Sequence, residues 1–248
     1  VGRRLGQHFL VRGSVLARIA AAVAPEPAEL ILEIGPGKGA LTGHLLGRAQ
    51  RVVAIEIDPV LVQYLRAKYR DEPRLEIIEA DILKSDIGQW GRLAVAGNLP
   101  YYITSPIVEK ILCARALLSR AALLVQKEVA LRLTTGPGTR DYGYLSVATQ
   151  FFAEVELLFT VPASAFQPPP QVDSAAVRIT PRTTLPDVDA DRFLRFVSQC
   201  FKHKRKTLRN NLLTAFERER LDALPELAQR AEQLSTPEFI ELYRKLYP

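Results

Sequence analysis

Asn98-Leu99-Pro100-Tyr101 sets an amide, a proline-fixed backbone and an aromatic ring side by side in one short loop. An exocyclic amine on adenine is a poor nucleophile because its lone pair is delocalised into the ring. An Asn side-chain oxygen and a neighbouring main-chain carbonyl can accept both of its N–H bonds and favour a pyramidal nitrogen. Proline fixes the backbone so that its carbonyl points inward, and the adjacent ring can stack on the base. The chemistry this set suits is transfer of an activated methyl group, in which positioning supplies much of the rate and no strong base is required. Asn98, Leu99, Pro100 and Tyr101 are therefore expected to form the catalytic loop.

Three further motifs fall at strand ends. Glu33-Ile34-Gly35-Pro36-Gly37-Lys38-Gly39 follows an apolar run, and its glycines let the backbone turn sharply beside a ligand. Its spacing is G-x-G-x-G, one residue short of the dinucleotide fingerprint G-x-G-x-x-G, which fits an adenosine nucleoside lacking a pyrophosphate. Glu56 lies 21 residues beyond Gly35, where a carboxylate can accept both ribose hydroxyls. Asp81 can accept from an adenine N6 amine or cap the following helix. Gly35, Gly37, Glu56 and Asp81 are expected to bind the donor. NAD-dependent reduction competes for these three motifs but leaves the Asn98 loop unexplained.

The elements that must position these residues are legible in outline. Apolar runs at 30–34, 51–57, 75–78, 93–96 and 121–125 read as buried strands. Helical patterns intervene at 40–49 and 59–69, and another precedes them at 14–24 with Ser14 as N-cap. The alternation predicts a doubly wound, mostly parallel α/β sheet. Strands at 154–159 and 175–179, joined by Phe166-Gln167-Pro168-Pro169-Pro170, predict a hairpin at its edge. Pro181 and Pro186 bracket a linker, after which the pattern is helical. The expected domains are 1–181 and 187–248, the second small and all-α.

Composition limits the partners. Hydrophobic residues make up 48% of the 248, and the net charge is +6 with a pI near 9.4. No apolar run is long enough for a membrane span and no signal peptide is visible, so a cytoplasmic location is expected. Cys113 and Cys200 are far apart and read as buried reduced thiols. His8, His44 and His203 show no metal-ligand spacing, so no metal is expected. From Arg192 to Phe216 there are seven basic residues and no acidic one. Such a one-sided stretch points to phosphate contact on a basic helix, with Lys202, Lys204, Arg205, Lys206 and Arg209 at its centre.

Gly6-Gln7-His8-Phe9-Leu10, the Gly35–Gly39 loop, Asn98 to Ile103, Phe166 to Ser174 and Phe201 to Asn211 together span most of the chain. In these motifs the sequence resembles the KsgA-type ribosomal RNA adenine dimethyltransferases. The resemblance implies a class I, Rossmann-like methyltransferase fold and S-adenosylmethionine as donor. It also implies N6,N6-dimethylation of two adjacent adenosines in a hairpin near the 3′ end of small-subunit rRNA, coupled to subunit maturation. His8, Leu10, Gly35, Glu56, Asp81 and Asn98 are implied donor contacts, His8 standing where many relatives carry Asn. A flipped adenine would be sandwiched by Tyr101 and Phe166, and Arg3, Arg4 and Arg12 would add to the RNA grip. A monomer is expected.

Three other readings compete. Large-subunit rRNA adenine methyltransferases of the antibiotic-resistance type share the donor loop and a similar acceptor loop. Val172-Asp173-Ser174 and the Lys204–Asn211 stretch favour the small subunit. An assembly factor whose methylation is secondary would also use a basic domain. DNA adenine and protein glutamine methyltransferases often carry proline where this loop has Leu99.

Overall fold

In chain order the computed structural model, which describes residues 8–247, places β1 (Phe9–Leu10), α1 (Gly13–Val23), β2 (Ala28–Ile34), α2 (Ala40–Leu46), β3 (Ala49–Glu56), α3 (Pro59–Lys68) and β4 (Leu75–Glu79). There follow β5 (Leu93–Asn98), α4 (Thr104–Cys113), β6 (Leu118–Gln126), α5 (Lys127–Thr134), α6 (Tyr144–Phe152), β7 (Ala153–Val161), β8 (Phe166–Gln167) and β9 (Ser174–Pro181). The last elements are α7 (Ala190–Cys200), α8 (Leu208–Leu212), α9 (Arg218–Asp222) and α10 (Thr236–Leu246).

The main sheet runs in the order β4-β3-β2-β5-β6-β9-β7. Its first five strands are parallel, and β9 and β7 are antiparallel at one end. The expected doubly wound sheet and terminal hairpin are both present. The central strands read as continuous apolar runs because both faces are covered: Leu30 to Ile34 and Val52 to Glu56 are buried throughout. From β2 the chain winds outward through β3 to β4, then returns to place β5 on the other side. The strand order therefore reverses between β2 and β5, and ligands bind outside the carboxyl ends of strands at such a point. Ile34 stands opposite Gly97 in that pairing, so Gly35 and Asn98 leave the sheet side by side.

Two short strands make a separate ladder. Phe9 pairs with Gln167 and Leu10 with Phe166, which ties the N-terminal segment to the proline-rich one. Val11 N–H then donates to the Ala165 carbonyl at 3.0 Å, and α1 starts at once. Arg12 is consequently the N-cap, without a side-chain bond, and Ser14 sits inside the first turn instead of capping the helix.

Contacts divide the chain into two compact units, one running to Ala130 and resuming at Ala153–Pro181, the other formed by Leu131–Phe152 and the chain from Arg182 onward. The boundary expected at 181 had placed 131–152 with the sheet. Phe151 explains its grouping with the helices: its ring lies 4.7 Å from Phe193 of α7, and both are fully buried. Cys200 is buried in this unit, where desolvation pushes its thiol well above the usual range. Cys113, expected to be buried, is exposed because it ends α4 on the solvent side. No helix among the described residues is long and apolar enough to cross a membrane.

Gly97 matters for register. A Cβ there would sit 2.7 Å from the Ile34 carbonyl oxygen and 3.1 Å from Leu99 Cδ2. Gly97→Ala is expected to lower unfolding stability by about 1–3 kcal/mol, read as a lower denaturant midpoint at unchanged slope.

Candidate active site

The loops after β2, β3 and β5, together with His8, Phe9 and Leu10, line one cleft.

The glycine turn is the floor. Gly35 and Gly37 have φ of 66° and 60°, values that L side chains rarely adopt. A Cβ on Gly37 would come within 3.0 Å of the Phe9 ring, so the backbone there must stay bare. Gly37 N–H donates to Glu56 Oε2 at 3.0 Å, while Glu56 Oε1 accepts the N–H groups of Ile57 and Asp58. Asp58 in turn caps α3 by accepting Val60 N–H at 2.9 Å, which fixes the strand end. Oε2 retains capacity for a further donor, as a ribose hydroxyl requires. Burial raises the Glu56 carboxyl above its ordinary value, the backbone donors opposing it.

Glu33, the first residue of the glycine motif, also lies in the cleft and is 1% exposed. Thr42 Oγ1 donates to its Oε2 at 2.6 Å. Desolvation pushes its carboxyl up to about 7, with a smaller push from Glu56. An acid directly before a glycine turn at a strand end was the available signal. Lys38 is also a lining residue, its ammonium 4.9 Å from the Phe9 ring centroid.

The acceptor loop is held from three directions. Leu99 N–H donates to the Leu124 carbonyl at 3.0 Å, extending the ladder with β6 one residue beyond the strand. Asn98 Nδ2 donates to the His8 carbonyl at 3.1 Å. Because a carbonyl only accepts, this contact fixes which end of the amide is nitrogen and leaves Oδ1 as the free acceptor. The Tyr101 hydroxyl and Ser174 Oγ are 2.8 Å apart, and burial raises the phenol's pKa so that it stays neutral. Ser174 was noted within a motif without a role; it is fully buried and acts as a post for Tyr101.

One expectation is corrected. The Pro100 carbonyl does not point inward, because it accepts Ile103 N–H at 3.2 Å and Thr104 Oγ1 at 3.1 Å. A 3-10 turn begins at Tyr101, and its first N–H groups need an acceptor. The Leu99 carbonyl accepts from no described residue and is the main-chain acceptor left beside Asn98 Oδ1.

His8, expected to contact the donor, also braces the Asn98 loop. Its Nδ1–H donates to the Pro168 carbonyl at 2.9 Å, and its ring stacks on Tyr101 at 5.9 Å and 24°. Leu10 lines the cleft and is 4% exposed. Asp81 is not brought to the cleft lining; its Oδ1 accepts Leu83 N–H at 2.9 Å and so caps a turn, no helix following it directly. Phe166 is 4% exposed, packs in the core and is not among the lining residues, so the structure does not bring it to a stacking face. Gly6, Gln7, Arg3 and Arg4 lie outside the described residues, and Arg12 is exposed.

The basic stretch is not a helix. Residues 201–206 form turns and bends between α7 and α8, and Thr207 bridges to Arg230, while Arg209 lies on α8. Lys202, Arg205 and Lys206 are exposed with no carboxylate partner among the described residues. Arg209 pairs with Asp222, and Arg192 lies over the Tyr247 ring at 4.2 Å.

An adenosyl sulfonium fits this cleft: a bare glycine turn, a strand-end carboxylate with a spare acceptor site, and a buried acid able to face a cation. With the doubly wound sheet and the Asn98 loop, these features define a class I methyltransferase. A profile described as ribosomal RNA adenine dimethylase matches residues 2–246, and the chain belongs to that family. "Ribosomal RNA small subunit methyltransferase A" of Chlorobium phaeobacteroides is 42% identical over 251 residues, covering 100% of this chain and 92% of the relative. Its counterpart in Acidobacterium capsulatum is 43% identical, covering 98% and 90%. Among solved structures, a dimethyladenosine transferase from Plasmodium falciparum gives a TM-score of 0.82 at 27% identity, covering 96% of this chain and 98% of that one. The 23S rRNA methyltransferase ErmE gives 0.79 at 30%, covering 97% and 100%.

Glu33 makes stability pH-dependent. Its folded pKa, about 7, exceeds the model-peptide 4.5, so between those values the folded state binds more protons than the unfolded one. Stability therefore falls as pH rises through this window, by on the order of 3 kcal/mol, and levels off above it. Denaturant titrations across pH 4–8 are expected to show this slope, and Glu33→Gln to lose most of it.

Proposed function

We propose that this chain uses S-adenosylmethionine to dimethylate N6 of two adjacent adenosines in a hairpin near the 3′ end of small-subunit rRNA. The observation that carries the reading is the oriented Asn98 amide. Its nitrogen is committed to His8, so Oδ1 and the Leu99 carbonyl form a pair of acceptors for one planar amine. Both lie in the cleft that holds the glycine turn and Glu56.

The donor supplies a methyl group already activated on a sulfonium. Asn98 Oδ1 and the Leu99 carbonyl accept the two amine hydrogens, withdrawing the nitrogen lone pair from the ring and aiming it. Tyr101, clamped by Ser174 and His8, offers a fixed ring for the base, which must leave its stack to enter. Glu56 and the Gly35–Gly37 turn hold the donor's nucleoside. Each transfer forms an N–C bond as the S–C bond breaks and leaves S-adenosylhomocysteine; the nitrogen then gives one proton to water, and the methylated amine keeps one N–H, enough for Asn98 to orient it for a second donor molecule. Lys202, Lys204, Arg205 and Lys206 hold RNA phosphates. The protein acts as a monomer in the cytoplasm on immature small subunits, and no metal takes part.

The names of the sequence relatives support the small-subunit target. The likeness to ErmE supports a second reading, an adenosine of large-subunit rRNA. Mapping N6-methylated adenosines in both rRNAs with and without the protein separates the two. Methylation confined to the large subunit would overturn the first.

Asn98→Ala is expected to cut kcat by about 100- to 1000-fold, the loss typical of one preorganised transition-state contact. RNA affinity in a gel-shift titration should stay within about twofold. Full turnover by that variant would sink the mechanism.

A further inference from the structure

The loop from Phe201 to Lys206 carries cations on its surface but takes its shape from a residue beneath it. Asn211, on α8, is 3% exposed. Its Nδ2 donates to the Cys200 carbonyl at 2.7 Å and to the His203 carbonyl at 3.2 Å. Its Oδ1 accepts His203 N–H at 3.1 Å. Both ends of the amide are thus spent on loop backbone. Thr207 closes the loop by capping α8, its Oγ1 accepting Asn210 N–H. Within the loop, the Phe201 ring packs against Phe239, while residues 202–206 are all exposed.

A second segment joins this loop. Lys204 Nζ donates to the Arg140 carbonyl at 2.7 Å. The segment 136–140 is exposed and is tied down in turn by Gly138 N–H donating to the Glu232 carbonyl at 2.7 Å. The Arg140 guanidinium has no carboxylate partner among the described residues, so its charge is added to those of Lys202, Arg205 and Lys206. Asp141 and Glu232 are the acids on the joined segments. Phe201 is half-buried and Tyr142 is 1% exposed, so among the described residues of these two loops His203 is the exposed ring. Five exposed cations, Arg140, Lys202, Lys204, Arg205 and Lys206, against a single imidazole suit phosphates better than a row of unstacked bases.

We propose that this unit grips the RNA sugar–phosphate backbone with a two-loop surface, residues 202–206 together with Arg140, and that Asn211 is its positioning residue. The inference rests on the reading of this unit as RNA-binding. Fixing the loop before contact lowers the ordering cost of binding, so Asn211 acts on affinity and not on the chemical step.

The test uses the full-length enzyme and a labelled small-subunit rRNA hairpin, with affinity measured across a salt series. Lys202→Ala/Arg205→Ala/Lys206→Ala should weaken binding and flatten the salt dependence; if it changes neither, the RNA-binding reading of the loop fails and the inference with it. Arg140→Glu, a surface change that leaves the fold intact, should weaken binding about tenfold and reduce the salt slope by about one. Asn211→Ala should raise KM for RNA about tenfold. Its kcat at saturating RNA and its affinity for S-adenosylhomocysteine should remain those of the parent. Asn211→Asp keeps the shape but loses the two donated bonds, and should behave like the alanine variant. If the triple variant weakens binding while Arg140→Glu keeps the parental salt slope, the two-loop surface is wrong. A folded Asn211→Ala with parental KM overturns the positioning role.

Discussion

The pairing of β2 with β5 is the constraint on which the site depends. These strands are distant in sequence, yet Ile34 lies opposite Gly97, so the donor turn and the acceptor loop leave the sheet at the same height. The close approach is possible because Gly97 has no side chain to press on the Ile34 carbonyl. A sheet buried on both faces cannot slip its register without exposing apolar side chains, so the two loops are fixed relative to each other by the core. In the proposed mechanism the catalytic group is then a neutral amide whose whole contribution is where it points.

The orientation of that amide comes from a third, remote piece of chain. β1 pairs with β8 and brings the His8 carbonyl to Asn98 and the His8 ring to Tyr101. The proline-rich segment therefore serves as an anchor for the N-terminal strand, and Ser174 just beyond it steadies Tyr101. Electrostatics follow the same economy. Glu33 and Glu56 are buried near one another, and desolvation holds both carboxyls above their ordinary range. A cleft with two reluctant acids is suited to a ligand that carries positive charge, because binding it relieves the penalty of ionising them.

In the helical unit the division of labour is between charge and shape. Arg192 and Arg209 spend their charge inside the unit, on a ring and on a carboxylate, while Lys202, Arg205 and Lys206 stay in solvent. The shape comes from a neutral, buried amide and a helix cap. Positive residues placed consecutively cannot order themselves, so the fold supplies an ordering residue that carries no charge.

By itself the sequence determined the local chemistry and the layering. The G-x-G-x-G turn, the strand-end acid Glu56 and the Asn98 loop were legible because each is a short, contiguous requirement. The alternation of apolar runs with helical patterns gave the doubly wound sheet, since burial on both faces leaves a periodic trace. Tertiary structure alone decided which carbonyl accompanies Asn98, because that depended on the turn that consumed Pro100's. It also decided that Phe166 packs inward, that 131–152 joins the helices, and that the cationic run is a loop pinned by Asn211. Each of these follows from a partner far along the chain, and hydrogen bonds between distant residues leave no periodicity in the sequence to be read.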